Sequence, residues 1–186
     1  MLSERVRAAI RDVEAFVAGR DDANPLPAPA ARFVHALVAA TRARRCLEIG
    51  TSYGYSTLWI AAALPEGGEL VTIDREQRKH DYVRGRLADA GLEPGVRFAV
   101  GLAREVIPTL AGPFDFVLND ADKEHCRFYF DTLTPRLSPG ACFVTDNVLT
   151  HPGPLGDFLH YLRGRPDCFS LPVPLGNGLE LTVKLA

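Results

Sequence analysis

The segment Cys46–Ser56 reads CLEIGTSYGYS, an apolar run followed by a glycine-containing turn and a helix-like pattern. Gly50 permits a sharp turn where a strand ends, and Gly54 permits close approach of the backbone to a ligand. The free amides at the start of the next helix can face a negative group. This segment therefore predicts a strand, a turn and a helix that together form one wall of a ligand-binding site.

Helix-like and strand-like periods alternate along the rest of the chain. Helices are predicted at residues 2–18, 29–43, 54–64, 76–90, 103–111, 124–137 and 153–164, and strands at 45–50, 69–74, 95–100, 114–120, 141–146, 168–173 and 179–185. This alternation predicts an α/β fold with a mostly parallel sheet, helices on both faces and right-handed crossovers. Residues 174–178 are too few for a helical crossover, so the last two strands are expected to form an antiparallel hairpin.

The size and composition are those of a globular protein. The chain has 186 residues, of which 47% are hydrophobic and 24% are charged, and residues 1–186 are expected to form one domain. Within it, an N-terminal helix and a proline-rich connector are predicted at 1–28 and the main core at 29–186. Four cysteines are widely spaced without a Cys-x-x-Cys pair, which favours buried thiols over disulfides or a zinc site.

Charge and hydropathy argue against two classes of partner. A net charge of −2 gives no global reason to bind nucleic acid or an anionic membrane. No apolar stretch has the length needed to span a bilayer, and the N-terminus begins an amphipathic pattern instead of an apolar signal core. A cytoplasmic location is therefore expected.

A carboxylate ends the second predicted strand of the core, at Asp74, 24 residues after Gly50. A carboxylate there can accept both hydroxyls of a ribose, although it could also cap the next helix. Together with the glycine turn it indicates an adenosine-containing cofactor. The turn lacks the third glycine of the G-x-G-x-x-G dinucleotide fingerprint, and Glu48 would suit a ligand with a positive amino group, as S-adenosylmethionine has. An NAD(P)-dependent oxidoreductase is the alternative.

Two more predicted strands end in acidic residues. Asp120 and Lys123 follow one apolar run, and Asp146 and Asn147 follow the next, 26 residues after Asp120. If both strands are parallel neighbours, these side chains converge where open α/β sheets bind ligands. Carboxylate and amide oxygens are hard ligands that suit Mg²⁺, Mn²⁺ or Ca²⁺.

The segments 48–56, 120–123 and 146–147, in this order and spacing, resemble the cation-dependent O-methyltransferases of the catechol and caffeoyl-CoA type. The resemblance runs from about residue 29 to the C-terminus. It implies a Rossmann-like methyltransferase fold, with a seven-stranded sheet in the order 3-2-1-4-5-7-6 and an antiparallel last strand. It also implies an S-adenosylmethionine-dependent and divalent-cation-dependent O-methyltransferase, with Mg²⁺ favoured, that acts as a homodimer on a small aromatic diol.

The resemblance also implies a role for each matching residue. Lys123 corresponds to the catalytic lysine, which takes the proton of the acceptor hydroxyl, and Asp120 is counted as catalytic with it. The remaining assignments are Glu48, Gly50, Thr51 and Ser56 to the methionine end of the cofactor, Asp74 to its ribose, Ala103 beside its adenine, and Asp120, Asp146 and Asn147 to the metal. Ser52 and Asp120 are also counted among the cofactor-binding residues.

Some positions depart from the family pattern, and some have another interpretation. Asn119 replaces the usual aliphatic residue before the metal aspartate, and the loop after Asn147 is compact, although His151 is close enough to line the acceptor pocket. Asp122 is expected to cap the helix at 124–137, and Trp59 and Phe128–Phe130 are expected in the core. A non-catalytic cofactor-binding scaffold is the non-enzymatic alternative, and a nucleic-acid methyltransferase lacks support because no basic stripe occurs.

Overall fold

The computed structural model describes residues 2–185. The helices are α1 (Glu4–Val17), α2 (Ala28–Thr41), α3 (Tyr55–Ala61), α4 (Gln77–Ala90), α5 (Ala103–Val106), α6 (Cys126–Leu133) and α7 (Pro152–Arg163). The strands are β1 (Arg45–Ile49), β2 (Glu69–Asp74), β3 (Val96–Val100), β4 (Phe114–Asn119), β5 (Leu137–Asp146), β6 (Cys168–Val173) and β7 (Leu179–Lys184). Short 3₁₀ turns lie at Glu93–Gly95, Ile107–Thr109 and Thr134–Arg136.

The seven strands form one sheet in the order β3-β2-β1-β4-β5-β7-β6. Strands β1 to β5 pair in parallel, and β7 runs antiparallel to both of its neighbours, β5 and β6. The predicted fold class, strand order and C-terminal hairpin are confirmed. Because the five parallel strands end at the same edge, the residues that follow β1, β2, β4 and β5 are brought together there.

Hydrophobic cores lie on the two faces of this sheet. One core contains Val34 of α2, Leu58 of α3 and Val83 of α4, and the other contains Phe130 of α6 and Leu155 of α7. All five side chains have no exposed surface. Successive residues of a strand face opposite sides, so each buried strand contributes to both cores and holds its end rigidly.

The N-terminal helix α1 packs on this framework through the predicted apolar stripe. Val6, Ile10 and Val13 are buried, and α1 contacts α3 and α4. Ser3 caps the helix by accepting a hydrogen bond from the backbone amide of Val6 at 3.3 Å. The connector after α1 leads to Pro27, the residue that precedes the first turn of α2.

Several sequence predictions are wrong in detail. Helix α6 begins at Cys126 and not at 124, and Asp122 does not cap it, because the Asp122 carboxylate is bound by the side chains of His125 and Tyr129. Strand β5 begins at Leu137, four residues before the predicted 141. Phe128 is 44% exposed and therefore not in the core.

Other predictions about burial are confirmed. Trp59, Tyr129 and Phe130 are buried, and the four cysteines are buried free thiols. Across residues 2–185, no helix combines the length and the apolar character needed to cross a membrane.

Candidate active site

A cavity of about 600 Å³ opens at the carboxyl ends of the parallel strands, within the size range of small-molecule sites. Its walls come from the connector at 21–26, the turn after β1, the end of β2, the loop before α5 and the segment 120–123. Asn147 and His151 after β5 also line the cavity, so residues from at least six separate parts of the chain meet around one space.

Gly50 has a structural role that the sequence predicted. Its φ is +107°, and a Cβ added there would lie 2.4 Å from the backbone oxygen of Asp120. The amides of Gly50 and Thr51 both donate to the carbonyl of Ile73 at 3.0 Å. The turn after β1 is thus in direct contact with the segment after β4 and with the end of β2, which only a glycine permits.

Gly54 has a different role from the one predicted. Its φ is +80°, and an added Cβ would lie 2.7 Å from the side chain of Val83 on α4. Gly54 is not among the residues that line the cavity. It allows the start of α3 to pack against α4, and the close approach that it permits is to another helix.

Asp74 organises the turn that faces the cavity. Its carboxylate accepts hydrogen bonds from the backbone amides of Ser52 at 2.8 Å and Glu76 at 3.0 Å. Ser52 has a left-handed φ of 46°, a conformation that this hydrogen bond stabilises. Asp74, Ser52 and Ala103 all line the cavity, so the residues predicted for ribose and adenine share its walls.

Glu48 is fully buried on β1 and does not line the cavity. Its carboxylate accepts hydrogen bonds of 2.6 Å each from the hydroxyls of Ser56, Thr57 and Thr72. Desolvation raises the pKa of Glu48 to about 7, against the opposing effect of these donors. Ser56, which does line the cavity, separates the carboxylate from it.

Of the three donors to Glu48, only Ser56 was predicted as a site residue from the sequence, whereas Thr57 and Thr72 were not. Thr72 pairs directly with Glu48 in the register of β1 and β2, so the two side chains share one face of the sheet. Knowledge of that pairing would have identified Thr72. Nothing in the sequence around His80, which binds the hydroxyl of Thr51, indicates its position.

The acidic corner is the name used here for the group of residues that follow β4 or lie at the end of β5, namely Asp120, Lys123, Asp146 and Asn147. Lys123 Nζ lies 3.0 Å from Asp120 Oδ1, and the two side chains are 12% and 13% exposed. Asp146 and Asn147 are 1% and 2% exposed. Asp120, Lys123 and Asn147 line the cavity, whereas Asp146 lies beneath its surface. The four residues are brought together as the sequence predicted.

The electrostatics of the acidic corner favour a positively charged ligand. Desolvation, followed by repulsion from Asp120, raises the pKa of Asp146 to about 7. Desolvation also raises the pKa of Asp120, although Lys123 opposes this effect. Asp146 Oδ1 is buried without a hydrogen-bond partner among the described residues, and burial of an unpaired acceptor is costly.

The donor set can be compared with the needs of a metal ion. Within residues 2–185, no group of three or more His, Cys, Asp or Glu side chains is placed to hold one. The predicted set has two carboxylates and the carboxamide of Asn147, which are ligand types that hard divalent cations accept. The unpaired Oδ1 of Asp146 leaves an acceptor available, so the residues fit a divalent cation.

The connector is held over the cavity by contacts that the sequence did not indicate. Asp22 accepts a hydrogen bond from the hydroxyl of Tyr53 at 2.6 Å and is ion-paired with Arg20 and Arg78. Arg20, then Tyr53, holds the pKa of Asp22 well below its usual range. Lys79 donates to the Asp22 carbonyl at 3.2 Å. These contacts join the segment before α2 to the turn after β1 and to α4.

His151 lies at the mouth of the cavity, as the sequence predicted. It is exposed, it lines the cavity, and it immediately precedes α7. Its Nδ1 lies 3.1 Å from the hydroxyl of Thr150. Its backbone amide donates to the carbonyl of Asn147 at 2.9 Å, which ties this loop to the acidic corner.

Comparison by sequence identifies close relatives. The family described as O-methyltransferase matches residues 15–155. A catechol O-methyltransferase of Mycobacterium tuberculosis is 39% identical over 127 residues, which cover 68% of this chain and 58% of the relative. A catechol O-methyltransferase of Niastella koreensis is 36% identical over 122 residues, which cover 63% of this chain and 55% of the relative. The chain thus matches just over half the length of these curated relatives.

Comparison with solved structures shows that two O-methyltransferases have the same fold as this chain. The O-methyltransferase TomG of Streptomyces achromogenes, involved in tomaymycin synthesis and solved in complex with SAM, has a TM-score of 0.84 at 33% identity, covering 99% of this chain and 91% of that chain. An O-methyltransferase of Bacillus cereus in complex with SAH has a TM-score of 0.87 at 26% identity, covering 95% and 90%.

Proposed function

Because this chain belongs to the O-methyltransferase family, we propose that it transfers a methyl group from S-adenosylmethionine to a hydroxyl of a small aromatic, catechol-like acceptor. We further propose that a divalent cation, with Mg²⁺ favoured, is held at the acidic corner. The observation that carries the proposal is one cavity whose lining includes both Gly50, Ser56 and Asp74 and the pair Asp120 and Lys123.

The cofactor would lie along the carboxyl edge of β1 and β2. Ser52, Asp74 and Ala103 surround one part of the cavity, and Thr51 and Ser56 lie near Glu48. S-adenosylmethionine supplies a methyl group on a positive sulfur, and transfer forms an O–CH₃ bond while the S–CH₃ bond breaks. Thr51 and Ser56 would position the methionine end, and Asp74 would accept the ribose hydroxyls.

The acceptor hydroxyl must lose its proton, because a phenol has a pKa of about 10. A divalent cation held by Asp120, Asp146 and Asn147 would stabilise the resulting anion and orient a neighbouring hydroxyl. Lys123 Nζ faces the same space and would receive the proton. Since Lys123 is ion-paired with Asp120 at 3.0 Å, its use as a base requires that another positive charge neutralise Asp120.

The proposal also includes the organisation of the molecule. Residues 1–186 are proposed to act as one methyltransferase domain in the cytoplasm and, by analogy with the family, as a homodimer. A molecular mass in solution of twice 20.3 kDa would support the dimer, and a mass of 20.3 kDa would oppose it. The NAD(P)-dependent oxidoreductase finds no support in the family to which the chain belongs.

The test is methyl transfer from labelled S-adenosylmethionine to a panel of catechols, caffeoyl derivatives and flavonoids. Turnover is expected to disappear in EDTA and to return with Mg²⁺. Asp146→Ala is expected to lower metal-dependent turnover by about a hundredfold or more and to leave binding of S-adenosylhomocysteine intact. Asp157→Ala, at an exposed position on α7, serves as the control and should retain wild-type turnover.

Two results would contradict parts of this proposal. Full activity of Asp146→Ala would refute the cation site. Tight binding of S-adenosylhomocysteine without methylation of any acceptor, with or without Mg²⁺, would favour the non-catalytic scaffold instead.

A further inference from the structure

Four buried side chains behind the glycine turn form one hydrogen-bonded chain. His80 Nε2 lies 3.0 Å from Thr51 Oγ1, Thr51 Oγ1 lies 2.6 Å from Thr72 Oγ1, and Thr72 Oγ1 lies 2.6 Å from Glu48 Oε2. Each of the four residues is at most 1% exposed. This series of hydrogen bonds connects α4, which carries His80, to β1, which carries Glu48, by way of the turn after β1 and strand β2.

The negative charge of ionised Glu48 determines which residue is the donor in each hydrogen bond of this series. An ionised carboxylate can only accept, so Thr72 uses its one proton on Glu48. Thr51 must then donate to Thr72, and His80 must donate from Nε2 to Thr51. A neutral ring with its proton on Nε2 leaves Nδ1 without a proton.

The surroundings of His80 agree with that direction. His80 Nδ1 is buried without a partner among the described residues. A buried acceptor without a partner is less rare than an orphaned N–H, so a proton on Nε2 is favoured. Desolvation is the main effect that lowers the pKa of His80, which favours a neutral ring. Phe98 packs against it, with ring centroids 4.9 Å apart.

Ser56 connects Glu48 to the cavity, because it donates to Glu48 and also lines the cavity. Its hydroxyl donates to Glu48 Oε1 at 2.6 Å, so its single proton points away from the ligand and its oxygen can only accept from it. The side chains that donate to the Glu48 carboxylate are neutral hydroxyl groups, those of Ser56, Thr57 and Thr72. A ligand group that donates hydrogen bonds and carries a positive charge is the complement to this wall.

We infer that Thr51, Thr72 and His80 are positioning residues that select the amino group at the methionine end of the cofactor, because their donors are directed toward Glu48 Oε2 and favour its ionised form. Ser56 must donate its one proton to that ionised carboxylate, so its oxygen faces the ligand as an acceptor. The inference rests on the proposed function, because it names the part of S-adenosylmethionine that this wall recognises. It adds to that function Thr72 and His80, which do not line the cavity and act through Thr51 and Glu48.

The test compares two ligands that differ only in that amine. S-adenosylhomocysteine and its desamino analogue, in which hydrogen replaces the α-amino group, are titrated calorimetrically into the full chain at pH 8. Thr72→Val keeps the shape of the side chain but removes the donor to Glu48. Thr72→Val is expected to lower the binding affinity for S-adenosylhomocysteine roughly tenfold. Its affinity for the desamino analogue is expected to fall by less than about twofold.

Two further variants separate this effect from general damage to the sheet. Thr72→Ser restores the hydroxyl and is expected to restore the affinity for S-adenosylhomocysteine. Thr182→Val removes another buried strand hydroxyl, which is bonded to Ser170 at 2.8 Å on the far side of the sheet. It should leave both affinities unchanged.

The outcomes distinguish this inference from the proposed function. If Thr72→Val lowers the affinity for both ligands equally, or lowers neither, the inference is overturned while the cofactor assignment stands. If the wild-type chain binds neither ligand, the proposed cofactor fails and the inference fails with it.

A spectroscopic measurement keeps the inference falsifiable if Thr72→Val does not fold. ¹⁵N chemical shifts of His80 in the wild-type chain at pH 8 are expected to show a neutral ring with its proton on Nε2. A proton on Nδ1 would reverse the direction of donation and overturn the inference.

Discussion

Glu48 and Asp146 are buried carboxyl groups, and desolvation raises the pKa of each to about 7. Their hydrogen-bond partners differ. Glu48 accepts from three hydroxyl groups, whereas one oxygen of Asp146 has no partner among the described residues. Burial of a charge is costly unless it is paired. This difference agrees with the two ligands that we propose, an organic ammonium near Glu48 and a metal ion at Asp146.

At the scale of the single residue, Lys123→Ala tests the base. General-base catalysis contributes about 10²–10⁴ in rate, so the rate of methyl transfer is expected to fall by roughly a hundredfold or more. The loss should be largest at low pH, where the acceptor hydroxyl is protonated. The measurement is a pH profile of turnover, with the affinity for S-adenosylhomocysteine measured in parallel and expected to stay unchanged.

Lys184→Ala is the matched control for this prediction. Lys184 is the last residue of β7 and is ion-paired with Asp167 at 3.0 Å, and neither residue lines the cavity. Its loss should leave the pH profile unchanged. A Lys123→Ala profile with the shape of the wild type would count against the proposed role of Lys123.

At the scale of the element, the unit formed by β1, its turn and α3 depends on the contact between Gly50 and the segment after β4. Gly50→Ala would place a Cβ 2.4 Å from the backbone oxygen of Asp120, at a φ of +107°. We expect the free energy of unfolding to fall by about 3 kcal/mol or more, because conformational strain and a backbone clash add. Urea denaturation monitored by circular dichroism measures this change.

Gly140→Ala separates the two contributions. Gly140 has a φ of +79°, but an added Cβ there meets no described atom within 4 Å. Its cost is that of backbone conformation alone, about 1–2 kcal/mol. Equal losses in the two variants would show that the close approach at Gly50 contributes nothing.

Elements with a clear hydrophobic period were predictable, and their boundaries were less so. Strands β1, β2 and β4 lie within a residue of their predicted bounds, since apolar runs beside turn residues mark buried strands. Helix α6 ends at Leu133 because Pro135 follows in a 3₁₀ turn, and proline lacks the amide that a helix interior needs. The polar start of β5 has no period that distinguishes it from a loop.

At the scale of the whole molecule, the cavity depends on the packing of distant segments around the sheet edge. The connector reaches it because Asp22 binds Tyr53 and Arg78, which lie 31 and 56 residues further along the chain. A ligand in this cavity would touch several of these segments at once. Its binding should therefore stabilise the entire fold.

Thermal unfolding with ligands tests this expectation. S-adenosylhomocysteine at 100 times its Kd should add about 2.7 kcal/mol of stability. For a chain of this size, that corresponds to a rise in Tm of roughly 5–10 °C. NAD at the same concentration is expected to leave Tm unchanged, and differential scanning fluorimetry measures both.

The opposite thermal-unfolding result would support the alternative function, that of an NAD(P)-dependent oxidoreductase. A rise in Tm with NAD and none with S-adenosylhomocysteine would mean that the cavity binds a dinucleotide. The missing third glycine in the turn after β1 is the physical reason to expect otherwise.

The amino-acid sequence alone was enough for the α/β alternation, the C-terminal hairpin and the meeting of Asp120 with Asp146, because parallel strands necessarily end at one edge. Burial, hydrogen-bond direction and contacts between distant segments were decided only by tertiary structure. Residues such as His80 and Asp22 acquire their partners by packing across the sheet edge. A local pattern of residues carries no record of which remote side chain will lie against it.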